Sequence, residues 1–250
     1  TTLERLWEGV DLCVRAWTTT TGPFNFEGRF THRRSINLWP RPLQSPHPPV
    51  WVTGSSDVES VRRAASKGYV FATFLQPHAK VKWMFDGYRS AYQDTGLPGG
   101  GGTAYMPLVY TADTEEEAEK GARELTWYLN AKTEPQYRNP PGYVPVDFNV
   151  NALKGTFTGR TDAMRAKTME FLKEEGVMVY GTPDSVAKQI KRLYDLVGGF
   201  DHLLMMMQCG FFNHERTLKN IRLFAQEVYP RIRHLAPQPL QPAVMMEAAK

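Results

Sequence analysis

The sequence predicts an α/β fold with parallel strands, on three observations. Short apolar runs alternate with segments of helical periodicity. Most of these runs lead into a turn or a helix cap, and the order strand then helix repeats. The chain has 250 residues, 42% apolar and 22% charged, a composition that supports a sizeable core and excludes wholesale disorder. Repeated strand-helix units imply parallel strands joined by right-handed crossovers.

The chain opens at Thr1 and runs at once into Leu3, Leu6, Trp7, Val10, Val14 and Trp17, the 3, 4, 3, 4, 3 spacing of an amphipathic helix. A Pro-rich connection, Pro40 to Pro49, then leads to a first buried strand near Val50 to Thr53, ended by Gly54. Ser56 and Glu59 form a capping-box pattern for a helix with Val58, Val61, Ala64 and Ala65 inward. A second strand is expected over Val70 to Gln76, followed by a helix with Val81, Met84, Phe85 and Tyr88 inward that lasts to Gly96. The run Gly99 to Gly102 lacks the flanking residues of a phosphate-binding loop and reads as a flexible connection.

A third strand is expected over Tyr105 to Thr111. Thr114-Glu-Glu-Glu117 then opens a helix with Ala118, Ala122, Leu125 and Leu129 inward. From Lys132 to Gly181 the alternation gives way to a Pro, Gly and Asn-rich stretch with one helix, Asp162 to Glu175. A stretch this long reads as an insertion that covers a site as a lid. Thr182-Pro183 starts the next helix, with Val186, Ile190, Leu193, Tyr194 and Val197 buried, and Gly198-Gly199 stops it. The fourth strand is Phe200 to Gln208. Asn213 caps a last helix with Leu218, Ile221, Phe224, Ala225 and Val228 inward, closed by Pro230. The expected organisation is one domain over 1–236, with the insertion at 132–181 and a disordered Pro and Gln-rich tail over 237–250.

Composition also excludes function classes. Thirty Lys and Arg stand against 26 Asp and Glu, and the basic residues are scattered, so a nucleic-acid partner is not expected. The apolar run Phe200 to Phe212 falls short of the roughly 20 residues that span a bilayer. Cys13 and Cys209 are the two cysteines; they make neither a disulfide framework nor a zinc site, and no metal site is expected from the six histidines. No signal peptide precedes the first helix, so a cytoplasmic location is expected.

Four strand-helix units fit either half of a closed eight-unit barrel or a doubly wound open sheet, which periodicity does not separate. If the barrel is right, each unit takes roughly 31 residues, and about four units, about 125 residues, are expected to be missing from the N-terminal side.

Particular strings separate the two. Phe26-Glu-Gly-Arg29, Pro40-Arg-Pro-Leu-Gln-Ser-Pro46, Trp51-Val-Thr-Gly-Ser-Ser-Asp-Val-Glu-Ser60 with Ala64-Ala65-Ser-Lys-Gly68, Gly181-Thr-Pro-Asp-Ser-Val186 and Phe224-Ala-Gln-Glu-Val-Tyr-Pro230 together resemble the bacterial luciferase-like flavin-dependent monooxygenase family, in that family's order. The resemblance runs from about Leu3 to Arg233. It implies a (β/α)8 barrel of TIM type, of which this chain is similar to the C-terminal four units, binding reduced FMN at the C-terminal strand ends and activating oxygen on it.

It also implies a small organic substrate, a separate flavin reductase and a homo-oligomer. A deazaflavin-dependent hydride-transfer enzyme of the same superfamily, or a non-catalytic flavin-binding or truncated barrel protein, are the alternatives. The resemblance leaves the catalytic residues unknown and places them in the missing N-terminal part.

Two readings of the Gly54-Ser55-Ser56 turn stand side by side. Gly lets a ligand approach the backbone, free amides at a helix start point outward, and the helix dipole favours a phosphate, with Ser60 one turn on lending a hydroxyl. Alternatively Ser56 is only a cap. His214, beside Glu215 at the start of the last helix, is the candidate substrate-binding residue, the alternative being that Glu215 merely complements the helix dipole.

Overall fold

The computed structural model describes residues 2–54, 58–97, 101–130 and 167–235. Ser55 and Ser56, the segment 131–166 of the expected insertion, and the tail beyond Leu235 lie outside the described residues. Two compact units are resolved, Thr1–Val50 and Trp51–Lys250.

In the first unit, helix α1 (Thr2–Thr18) forms where the spacing predicts it; of its apolar stripe Trp7 is buried and Leu6 is exposed. A hairpin that was not expected follows, β1 (Phe24–Glu27) paired antiparallel with β2 (His32–Ile36). Its turn is tied to α1 by the Glu8 carboxylate, which accepts the backbone N–H groups of Arg29 at 2.7 Å and Phe30 at 3.0 Å. The sequence signal was present in the alternation of Phe24 and Phe26 before Gly28.

The second unit is the parallel α/β structure. Strands β3 (Trp51–Thr53), β4 (Val70–Phe74), β5 (Gly102–Met106) and β8 (His202–Leu203) form one four-stranded sheet in the order β3-β4-β5-β8, parallel throughout. Each expected strand contributes to it, the third only through Tyr105 and Met106 and the fourth only through His202 and Leu203. Helices α2 (Val58–Ser66) and α3 (His78–Gln93) bury the faces their spacing indicated. Among the described residues the sheet does not close into a barrel.

Two expectations need correction. The third strand, expected to run from Tyr105 to Thr111, starts earlier and is divided at Pro107, which has no N–H for a ladder. Its second part, β6 (Leu108–Thr111), pairs in parallel with β7 (Met178–Gly181). Strand β7 is buried along its whole length, so the last residues assigned to the insertion belong to the sheet core rather than to a lid. Leu108 is paired on both sides, with Met178 and with Met206. Helices α4 (Glu115–Leu125), α5 (Trp127–Asn130) and α6 (Met169–Glu174) complete this layer, and Leu108, Tyr110, Ala118, Leu125, Leu172 and Met178 share its core.

The second correction concerns Gly101 and Gly102, which are not a loose connection. Both have positive φ, +69° and +134°, and Gly102 is the first residue of β5. A Cβ on Gly101 would overlap the Tyr88 hydroxyl, so only glycine permits this close approach. That hydroxyl donates to the Tyr69 carbonyl at 2.8 Å and accepts from the Gly102 N–H at 2.9 Å.

Burial pushes the Tyr88 pKa up to about 12, with Tyr92 and Asp201 acting in the same direction and the Gly102 bond opposing. Below pH about 10 the phenol is protonated in folded and unfolded chains alike, and its contribution is fully present. Between about 10 and 12 only the unfolded chain ionises, so stability falls. Urea midpoints measured across that interval should drop less steeply in Tyr88→Phe than in the parent protein. Parallel profiles would remove Tyr88 from the alkaline transition.

Helix α7 (Pro183–Leu196) starts with Pro183 in its first turn, as expected, and the positive φ of Gly198 and Gly199 ends it. The Thr182 hydroxyl, however, bonds the Glu115 carboxylate at 2.9 Å instead of capping its own helix. The last helix, α8 (His214–Leu223), is capped by Asn213, whose side chain accepts the Arg216 N–H at 2.9 Å. It does not stop at Pro230. A π-helical turn, Phe224–Val228, carries it into α9 (Tyr229–Ile232), and Pro230, which has no N–H to donate, falls just after that turn.

Candidate functional site

In-register neighbours of a parallel sheet share a face. Trp51 and Thr53 of β3, Val70, Ala72 and Phe74 of β4, Gly102, Ala104 and Met106 of β5, and His202 of β8 therefore line one side. The middle of this face is small: Val70, Ala72 and Ala104 pack as one cluster. Across it the rings of Trp51 and His202 meet, centroid to centroid, at 4.7 Å. Flat strands three spacings apart would stand about 14 Å from each other. The two outer strands thus incline toward each other, and this is the inner face of the sheet. The other face carries Phe71, Thr73 and Tyr105, all buried.

Because the strands are parallel, their C-terminal ends lie together. Gly54 follows β3, Gln76 follows β4 and Gln208 follows β8. The Gly54 N–H is already used, donating to the Ala72 carbonyl at 3.0 Å. Phe71 presses on Gly54 from behind; a Cβ there would meet the ring at 3.1 Å. Ser60 is buried on the inward side of α2 with Val61 and Ala64. Of the predicted phosphate residues, then, Gly54 and Ser60 are placed at the β3–α2 junction, while Ser55 and Ser56 fall outside the described residues.

Beyond β4 the chain is held tightly. Leu75 has φ +50°, the left-handed region that a non-glycine residue enters at a cost. The Tyr105 hydroxyl bonds the carbonyls of Gln76 at 2.8 Å and Gly176 at 3.0 Å, and the His78 ring lies 3.1 Å from the Glu175 carboxylate. These contacts tie the end of β4 to the turn before β7, which periodicity did not indicate. His214 is exposed as the first residue of α8. The residue of α8 that reaches inward is Asn220, whose amide bonds the Thr111 N–H at 2.8 Å and the Met207 carbonyl at 2.9 Å. Asn220 carries no apolar-stripe signal, because the inward position it fills is polar.

Comparison with known proteins agrees with this arrangement. The luciferase-like monooxygenase family model matches residues 1–199, and the chain belongs to that family. It is 23% identical, over 92% of its own length and 65% of the relative's, to 2,5-diketocamphane 1,2-monooxygenase 2 of Pseudomonas putida. Among solved structures it is similar to the oxygenating constituent of 3,6-diketocamphane monooxygenase of Pseudomonas putida, a type II Baeyer-Villiger monooxygenase in complex with FMN. The TM-score is 0.64 and the identity 19%, over 96% of this chain and 65% of that one. It is also similar to the coenzyme F420-dependent tetrahydromethanopterin reductase of Methanopyrus kandleri, with a TM-score of 0.62 and 14% identity over 91% and 62% of the two chains. This chain thus spans 65% of the length of the diketocamphane relative. No helix among the described residues is long and apolar enough to cross a membrane.

Proposed function

We propose that the protein is an FMN-dependent monooxygenase that uses reduced flavin and oxygen on a small apolar organic substrate. The family match over residues 1–199 carries this reading. The residues of the inner face fit such a cofactor. An inner face with a floor of Val70, Ala72 and Ala104 and with Phe74, Met106 and Trp51 around it suits a planar ring system. At the strand ends, the N–H of Gly54 is committed to the sheet, so phosphate recognition falls to Ser55, Ser56 and the start of α2, with Ser60 in support.

When bound, reduced flavin supplies the electrons and the site of oxygen activation. The chain's own part is to bind the phosphate, orient the ring against the inner face, keep water from it and seat an apolar substrate beside it, with His214 at the rim as a polar contact. The part of the segment 132–181 that precedes α6 covers the substrate in this reading. A flavin reductase supplies the reduced cofactor, and the protein works as a homo-oligomer. A deazaflavin-dependent hydride transfer is the second reading, favoured by the likeness to the F420-dependent reductase.

Titration of the protein with FMN, riboflavin and F420, followed by flavin fluorescence, separates the readings. FMN should bind more tightly than riboflavin, and Ser56→Ala should weaken FMN while leaving riboflavin nearly unchanged, because only FMN carries the dianion. Preference for F420 would establish the second reading. Equal weakening of FMN and riboflavin in a folded variant would sink the phosphate assignment. Oxygen uptake with reduced FMN and a cyclic ketone then distinguishes turnover from flavin binding alone.

A further inference from the structure

A groove of about 700 Å³ runs between α2 and α3, on residues that the proposed chemistry does not use. Its floor is apolar, with Val61 and Met84 buried there. Trp83 also lines it and is 51% exposed. A lone exposed apolar residue needs no explanation, but an indole beside an apolar groove with an arginine has the composition of an interface centre.

Gly87 points the same way. It lies in the middle of α3 and lines the groove, and a Cβ there would meet nothing within 4 Å. Glycine inside a helix costs stability relative to alanine. For Gly121 of α4 the chain supplies a reason, since a Cβ would strike the Tyr110 ring. For Gly87 no described residue supplies one, and the space above it is open to an occupant from outside the chain.

The two walls differ in charge. Among the described lining residues, α2 contributes Arg62, while α3 contributes Asp86 and Asp94. Asp86 is shared between Lys82 at 2.6 Å and Arg89 at 3.1 Å, neither of which lines the groove, and on α2 Glu59 and Arg63 also lie off it. Arg62 and Asp94 have no side-chain partner among the described residues.

We infer that this groove is where a second copy of the chain docks, about a two-fold axis between α2 and α3. Such an axis sets the α2 wall of one copy against the α3 wall of the other, so that Arg62 faces the acidic wall twice over and each Trp83 has a groove to enter. A surface that binds itself must carry both halves of its own complement. This one does, in its indole and its hollow and in its cation and its anions, whereas a partner of another kind would need only one half. The inference rests on the homo-oligomer of the proposed function and gives it a surface.

Sedimentation velocity of the protein between about 1 and about 100 μM tests it, a range suited to a small interface. A monomer–dimer equilibrium is expected. Trp83→Ala, Gly87→Glu and Arg62→Glu should each weaken it by about tenfold or more, while Arg62→Lys, which keeps the sign, should retain most of the association. Trp83 is half exposed and Gly87 faces open space, so circular dichroism should show these variants folded, and Trp83→Ala should bind FMN as the parent does. A parent protein that stays monomeric at about 100 μM would overturn the inference and leave the groove to another partner, whether or not FMN binds. A dimer that all three disruptive variants leave intact would also overturn it, with the homo-oligomer then standing on a different surface.

Discussion

Asn220→Ala is expected to lower the unfolding free energy by about 2–5 kcal/mol, since two buried backbone groups lose their partner at about 1–3 kcal/mol each. The groups are the Thr111 N–H at the end of β6 and the Met207 carbonyl beyond β8, both bonded by the one amide. Asn220 is 1% exposed, so water does not replace it. Asn220→Asp refines the test. It keeps an acceptor for Thr111 but loses the donor to Met207 and places a carboxyl where burial disfavours its charge. A carboxyl with a raised folded pKa contributes fully below its unfolded value near 4 and loses that contribution as pH rises. The aspartate variant should therefore be more stable at about pH 4 than at pH 7 relative to the parent, as read by urea denaturation. A cost under about 0.5 kcal/mol for the alanine variant, the range of ordinary surface substitutions, would mean that α8 does not fasten these two strand ends.

Local signals carried the sequence reading furthest. Thr114 and Asn213 were legible as caps because a cap is decided within four residues, and both side chains accept the expected amide. Strand β4 was legible because burial on both faces makes a continuous apolar run, and β3 because a short apolar run ends at Gly54. Strand β7 carries the same signal, the apolar run Val177 to Tyr180 between Gly176 and Gly181, but it lay within the stretch assigned to the insertion, and its partner β6 is some 70 positions earlier in the chain.

The division at Pro107 was visible as a residue but not as an event, since the change of partner from β4 to β7 is a tertiary fact. The last helix misled because its inward position is polar. With Asn220 facing the strand ends, Ile221, expected inward, is 43% exposed. At the candidate site the turn after β3 was legible from Gly54 onward. That the Gly54 N–H is already spent on Ala72, and that Trp51 reaches His202 across the inner face, depended on the sheet being assembled.

The junction between β3 and α2 rests on one aromatic ring. Phe71 is 0% exposed on the outer face of β4, and Gly54 lies directly against it. Phe71→Ala should cost about 3–5 kcal/mol, the transfer energy of the ring plus the cavity it leaves. Gly54 has no positive φ, so Gly54→Ala meets no backbone strain; its methyl would stand 3.1 Å from the ring and press on it. Alone, that substitution should cost about 1–3 kcal/mol as overpacking. In the Phe71→Ala background the same methyl enters vacated space, so the pair should be less destabilised than the sum by at least about 0.5 kcal/mol. FMN titrations on the same variants extend the test to function. If the turn after Gly54 holds the phosphate, Phe71→Ala should weaken FMN more than riboflavin while the protein is still folded, and Gly54→Ala in that background should restore part of the difference. Additive stabilities would show that the ring and the glycine are not in mutual support, and the turn would then owe its geometry to α2 alone.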